Sequence, residues 1–122
     1  MTMKFITKAL LKAVSLINYE WYIKKLGVQI GRNCKINGRP NFGTEPYLVS
    51  IGNHVLIAGG TAFITHEGGH WVLKGMDKKY NSAFGFGRIT VEDNVYIGYR
   101  CIILRGVTIG KKYHNWCREL GQ

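Results

Sequence analysis

A beat of six residues runs through this chain. Val91, Ile97, Ile103 and Ile109 are spaced by six, and Val95, Cys101 and Val107 follow the first three of them four places later. The same register holds at Ile51, Ile57 and Phe63, with Val55 and Thr61 in the companion slots. A looser copy has Ile30, Ile36 and Phe42, with Cys34 and Pro40. Helices repeat at about 3.6 residues and simple strands at about two, so neither gives this spacing. Short strands stacked as the rungs of a β-helix do give it, because each rung returns the same positions to the interior. Gly31, Gly52, Gly98 and Gly110 each follow a lead residue, which suits tight corners between rungs. The expectation is an all-β chain, a parallel β-helix or hexapeptide solenoid, over residues 28–110.

The flanks and one internal stretch depart from the beat. Residues 1–27 form an N-terminal segment in which 3–26 read as a single amphipathic helix. Ile6, Ala9, Leu10, Ala13, Leu16 and Ile17 recur at three- and four-residue steps, while Lys4, Lys8 and Lys12 share another face. The lysines interrupt any apolar run, which argues against a spanning helix or a signal peptide. Two roles suit such a helix: a cap over the open end of the first coil, or a peripheral membrane contact with Trp21 and Tyr22 at the boundary. Residues 64–88 break the beat and carry Trp71, Tyr80, Phe84 and Phe86 among glycines, which reads as a functional excursion from the solenoid.

Residues 111–122 lack hexapeptide character. One synonymous spelling of this tail, with a single A deleted from the lysine codons, reads Lys-Asn-Ile-Ile-Ile-Gly-Ala-Gly-Ser-Leu-Val and resumes the beat in phase. The tail is therefore expected to be aberrant, the product of a frameshift at an A-rich tract that removes the last coils of a longer chain. The alternative is an authentic short tail that caps the last coil.

At 122 residues the chain is one domain, and an apolar content of 46% with only two prolines argues against disorder. Three cysteines cannot all pair, and Cys34 and Cys101 sit in inward slots, which points to a reducing compartment. The formal net charge is +10, yet no recognised nucleic-acid motif accompanies it. A CoA phosphate, a nucleotide-linked sugar or an anionic membrane surface accounts for the charge without nucleic acid.

The run from Ile51 to Ala58 and the run from Val95 to Gly110 resemble the hexapeptide-repeat acyltransferases, which include the galactoside, maltose and virginiamycin O-acetyltransferases. The resemblance covers residues 28–110. It implies a left-handed β-helix, acetyl-CoA as acyl donor with no metal, and a saccharide hydroxyl as acceptor, with surface-polysaccharide biosynthesis as one setting. It also implies a cytoplasmic homotrimer whose catalytic sites span two subunits.

Moving an acetyl group from a thioester to a hydroxyl requires a base, and histidine suits the task because its ordinary pKa of about 6.5 lies near working pH. The chain has four histidines. His114 lies in the tail and His54 occupies an outward repeat position. His66 and His70 fall where the register breaks. The family's base follows such a coil, and its Thr-His-Asp-like segment resembles Thr65-His66-Glu67, so the role carries best to His66 with His70 in reserve. Glu67 is a candidate to orient an imidazole. Trp71 and Tyr80 are candidate platforms for a sugar ring. Gly98 and Tyr99 resemble a donor-contacting step, although a small residue is usual after that glycine, and Arg100 and Arg105 could meet CoA phosphates.

Two other classes remain open on the sequence. One is a hexapeptide-fold metalloenzyme of the γ-carbonic anhydrase kind, using His66, His70 and His54 of a neighbouring copy around zinc. The other is a truncated, catalytically impaired remnant whose donor site is lost and whose open last coil exposes strand edges.

Overall fold

The computed structural model describes residues 2–81, 85–111, 114–115 and 119–120; the side chains of residues 2–3, 15, 80, 114–115 and 119–120 lie outside that description. After two helices, α1 (Thr2–Ser15) and α2 (Tyr19–Leu26), the chain visits three parallel sheets in rotation. The first holds β1 (Gln29–Ile30), β3 (Val49–Ile51), β6 (Ile89–Val91) and β9 (Thr108–Ile109). The second holds β2 (Lys35–Ile36), β4 (Val55–Ile57), β7 (Val95–Ile97) and β10 (His114–Asn115). The third holds β5 (Ala62–Ile64), β8 (Ile102–Leu104) and β11 (Glu119–Leu120), with Asn41 bridging to Ala62 ahead of it.

Each ladder joins lead residues of the beat. Ile30 is in register with Ile51, Ile51 with Val91 and Val91 with Ile109. Ile36 pairs with Ile57 and Ile57 with Ile97, and Phe63 with Ile103. The side chains of Ile51, Ile57, Phe63, Val91, Ile97, Ile103 and Ile109 are buried together with the companions Val55, Val95 and Cys101. Thr61, a polar residue in a companion slot, is buried because its hydroxyl donates to carbonyls it can reach, Ala58 O at 3.0 Å and Gly98 O at 3.2 Å.

The corners explain the glycines. At the first corner the side chain of one turn caps the backbone of the turn before it. Asn53 Oδ1 accepts from Arg32 N at 2.7 Å, and Asp93 Oδ1 accepts from Asn53 N at 2.7 Å. These carbonyl and carboxylate oxygens occupy the space where a Cβ on Gly31 or Gly52 would sit, only 2.2 and 2.3 Å away. Three residues at this corner, Asn33, His54 and Asn94, take positive φ values of 60°, 56° and 58°. Asparagine tolerates that region better than most side chains. His54 tolerates it with Nδ1 held 2.9 Å from Asn94 Oδ1.

The N-terminal segment is two helices where one was expected. Asn18 interrupts the apolar periodicity, accepting a hydrogen bond from Trp21 N at 3.0 Å as the N-cap of α2. α2 ends at Gly27, a left-handed C-cap at φ 115°. α2 covers the first coil: Ile23 is fully buried in the core, and the Tyr19 hydroxyl donates to Pro40 O at 2.6 Å. Burial pushes the Tyr19 phenol up, with the Arg39 guanidinium opposing that shift. α1 packs on α2.

Between β5 and β6 the excursion holds a further helix, α3 (His70–Met76), followed by a 3-10 turn over Lys78–Tyr80. Beyond Gly110, where the six-residue beat ends, β10 and β11 continue the second and third ladders by backbone pairing with β7 and β8. Lys111 N donates to Glu92 Oε1 at 3.1 Å, and residues 112–113, 116–118 and 121–122 fall outside the described residues.

Candidate active site

The excursion is closed at its base by its own two legs. Glu67 N donates to Gly85 O at 3.0 Å and Gly87 N to Thr65 O at 2.9 Å, so His66 and Phe86 face each other in an antiparallel bridge. Thr65 is buried beside the core, which anchors His66 at the rim of the third sheet. The imidazole is 47% exposed, with its ring centroid 6.0 Å from that of Phe86.

The partner of His66 comes from a different corner. Phe42 is followed by Gly43-Thr44-Glu45 and a 3-10 turn over Pro46–Leu48 before β3 resumes the ladder. This insertion brings Glu45 against the imidazole, with Oε1 2.9 Å from His66 Nδ1. Glu45 is only 7% exposed, and its other oxygen accepts from the Thr44 hydroxyl. An ionised carboxylate can only accept, so the contact favours a proton on Nδ1, and in the neutral imidazole the lone pair then falls on Nε2. The pair therefore orients the ring and selects the tautomer that leaves Nε2 able to take a proton.

A pocket of about 380 Å³ opens beside this pair, lined by Ile64, His66, Glu67, Leu104 and Arg105. Ile64 and Leu104 supply an apolar floor from neighbouring rungs, in register across β5 and β8. Arg105 reaches in from the next turn, its Nη2 3.2 Å from Glu67 Oε1. An imidazole, a guanidinium paired with a carboxylate, and an apolar floor thus meet in one concave site.

Residues 88–113 match the family described as "Hexapeptide repeat of succinyl-transferase". Over 88 residues the chain is 50% identical to Protein CapG of Staphylococcus aureus, a stretch that covers 70% of this chain and 49% of that protein. Both matches support the resemblance to hexapeptide-repeat acyltransferases carried by the sequence. It spans about half the length of the curated relative it matches. No solved structure matches.

The residues singled out from the sequence separate into groups. His66 and Arg105 line one pocket. Glu67 lines it as well, but it is engaged by Arg105 and by Gly69 N at 3.0 Å, so Glu45 takes the orienting position against the imidazole that the sequence offered to Glu67. His70 begins α3 outside the pocket, with a buried Nδ1 that finds no hydrogen-bond partner among the described residues. Trp71 is 78% exposed and does not line the pocket, while the side chain of Tyr80 lies outside the described residues.

Gly98 and Tyr99 lie at the corner between β7 and β8, whereas Arg105 lies at the corner between β8 and β9, so the expected donor contacts fall on two corners of the turn. The Tyr99 ring is exposed and lies against Gly59 of the preceding turn, with the Arg100 guanidinium 5.2 Å from its centroid. The zinc arrangement weighed from the sequence has no counterpart among the described residues, where no group of three or more His, Cys, Asp and Glu side chains could hold a metal ion.

Glu45 is the site residue that sequence reasoning missed. The available signal was the slip in the beat after Phe42, where an acidic residue stands in a chain with only seven of them.

Proposed function

We propose that this chain is an acetyl-CoA-dependent O-acetyltransferase acting on a saccharide hydroxyl, with His66 as general base. The observation that carries this reading is the Glu45–His66 pair at the mouth of a pocket that also contains Arg105. His66 Nε2 takes the acceptor's hydroxyl proton as the oxygen attacks the thioester carbonyl, then returns that proton to the departing thiolate. Glu45 stabilises the imidazolium that exists between the two transfers. Arg105 offers a cation for a phosphate of the donor once Glu67 yields it. The hexapeptide repeat supports stacking of the three parallel sheets as a left-handed β-helix, and the family supports a homotrimer with the pocket at a boundary between subunits. Cys34 and Cys101, both free thiols, are in keeping with a cytoplasmic setting.

The direct test is thiol release from acetyl-CoA and from succinyl-CoA across a panel of saccharides, paired with calorimetric titration of CoA. Release that depends on both acetyl-CoA and a sugar is the expected result. CoA binding with no sugar-dependent release overturns the acceptor class, and the absence of both binding and release marks the chain as a non-catalytic remnant.

Glu45→Gln probes the orienting contact. The amide presents either an oxygen or an N–H to Nδ1, so the tautomer is no longer imposed. Turnover is expected to fall by at least about tenfold, part of the about 10²–10⁴-fold that a positioned base supplies, with KM for the donor unchanged. A KM change with kcat intact would give Glu45 a binding role instead.

A further inference from the structure

The apolar side of α1 is uncovered. Phe5, Ile6 and Leu10 are 75%, 51% and 61% exposed, and together with Ala9 and Ala13 they fall on one stripe of the helix. Leu16 and Ile17 extend that exposed apolar surface through the bend before α2. Lys4, Lys8 and Lys12 recur once per turn on an adjoining face, and α1 contains no acidic residue. Leu11 and Val14, between the two stripes, are half-buried, and α1 packs on α2. The cap over the first coil is α2, so α1 is left with no role in closing the core.

We propose that α1 is a docking helix for an anionic lipid bilayer, lying flat in the headgroup layer with Phe5, Ile6 and Leu10 inserted and the lysines over the phosphates. The charge pattern selects this occupant. A second copy of the chain carries the same +10 and would bring two cationic helices together. A nucleic acid would answer the lysines and leave the apolar stripe wet. An anionic bilayer satisfies both faces at once. The helix lies on the membrane and does not cross it, because none among the described residues is long and apolar enough to span. Trp21, partly exposed on α2 beneath Lys25 at 5.4 Å from its ring, suits the same interface.

Co-sedimentation of the full chain with vesicles tests the proposal, using phosphatidylcholine alone and phosphatidylcholine mixed with phosphatidylglycerol. Partitioning is expected to be at least about tenfold stronger on the anionic vesicles and to weaken as salt rises. The double variants Phe5→Ser/Leu10→Ser and Lys4→Glu/Lys8→Glu are each expected to lose at least about tenfold of that binding, with the circular dichroism spectrum retained because all four side chains are exposed. No sedimentation, or equal sedimentation with both vesicles, overturns it. So does a chain that ignores vesicles but whose oligomeric state changes on Phe5→Ser/Leu10→Ser, since the stripe then belongs to a second copy.

Discussion

His66→Ala is expected to lower acetyl transfer by about 10²–10⁴-fold, or about 3–5 kcal/mol of transition-state stabilisation. The loss should appear in kcat, because the proposed base acts on the proton in flight and not on the bound donor. Removing the ring also strands Glu45, which is 7% exposed and keeps only the Thr44 hydroxyl. A buried acceptor left without its partner costs about 1–3 kcal/mol, so the alanine variant should also be somewhat less stable. His66→Asn separates the two effects. Its amide N–H reaches toward the place of Nδ1 and can satisfy Glu45, but it offers no base. The asparagine variant should therefore match alanine in turnover and exceed it in thermal midpoint. Near-wild-type turnover in both variants would reassign the base, with His70 the next residue to test.

The largest stability effect is expected at Phe63. Its side chain is fully buried, its ring stacks on Phe42 with centroids 4.8 Å apart and planes within 5°, and it pairs in register with Ile103. Phe63→Ala removes one member of a stacked pair and leaves a void that the rigid ladder cannot collapse around. Such truncations cost about 3–5 kcal/mol. For a chain of this length that corresponds to a fall in thermal midpoint on the order of 10–20 °C. Urea unfolding should show the midpoint shifting with little change in slope. A cost below about 1 kcal/mol would mean that the ring does not bear on the core as described. Activity should fall in parallel, because Phe63 lies three residues before His66 and fixes where the excursion leaves the third sheet.

The ladders are legible in the sequence because a stacked rung repeats its constraints. Every rung needs an apolar side chain at the lead position, a demand written at fixed intervals, and glycine follows the lead at Ile30, Ile51, Ile97 and Ile109. Gly31 and Gly52 are informative for the same reason, since each makes room for an oxygen of the next turn. What the sequence does not display is any contact made once. Glu45 meets His66 across a gap of 21 positions, through an insertion whose path depends on Pro46–Leu48 turning back under α2. No periodicity marks such a meeting. The break between α1 and α2 is hidden for a related reason, because the apolar spacing continues through Leu16 and Ile17 and only the Asn18 cap ends it. The separation of Gly98 and Tyr99 from Arg105 follows from counting corners, which requires knowing how many rungs lie between them.

The third corner of the turn is the place where this chain varies in length. It runs from Phe42 to Ile51 in the first turn, from Phe63 to Val91 in the second and from Ile103 to Ile109 in the third, and all three paths return to the same ladder. Doubling a flexible connection adds only about 0.6 kcal/mol of closure entropy, so growth at that vertex is cheap while growth elsewhere would throw the stack out of phase. The architecture thus behaves like a spindle with one tolerant seam. New recognition segments can be spliced in along the seam where Glu45 and His66 meet, and the rest of the three stacked ladders is spared from renegotiating its packing.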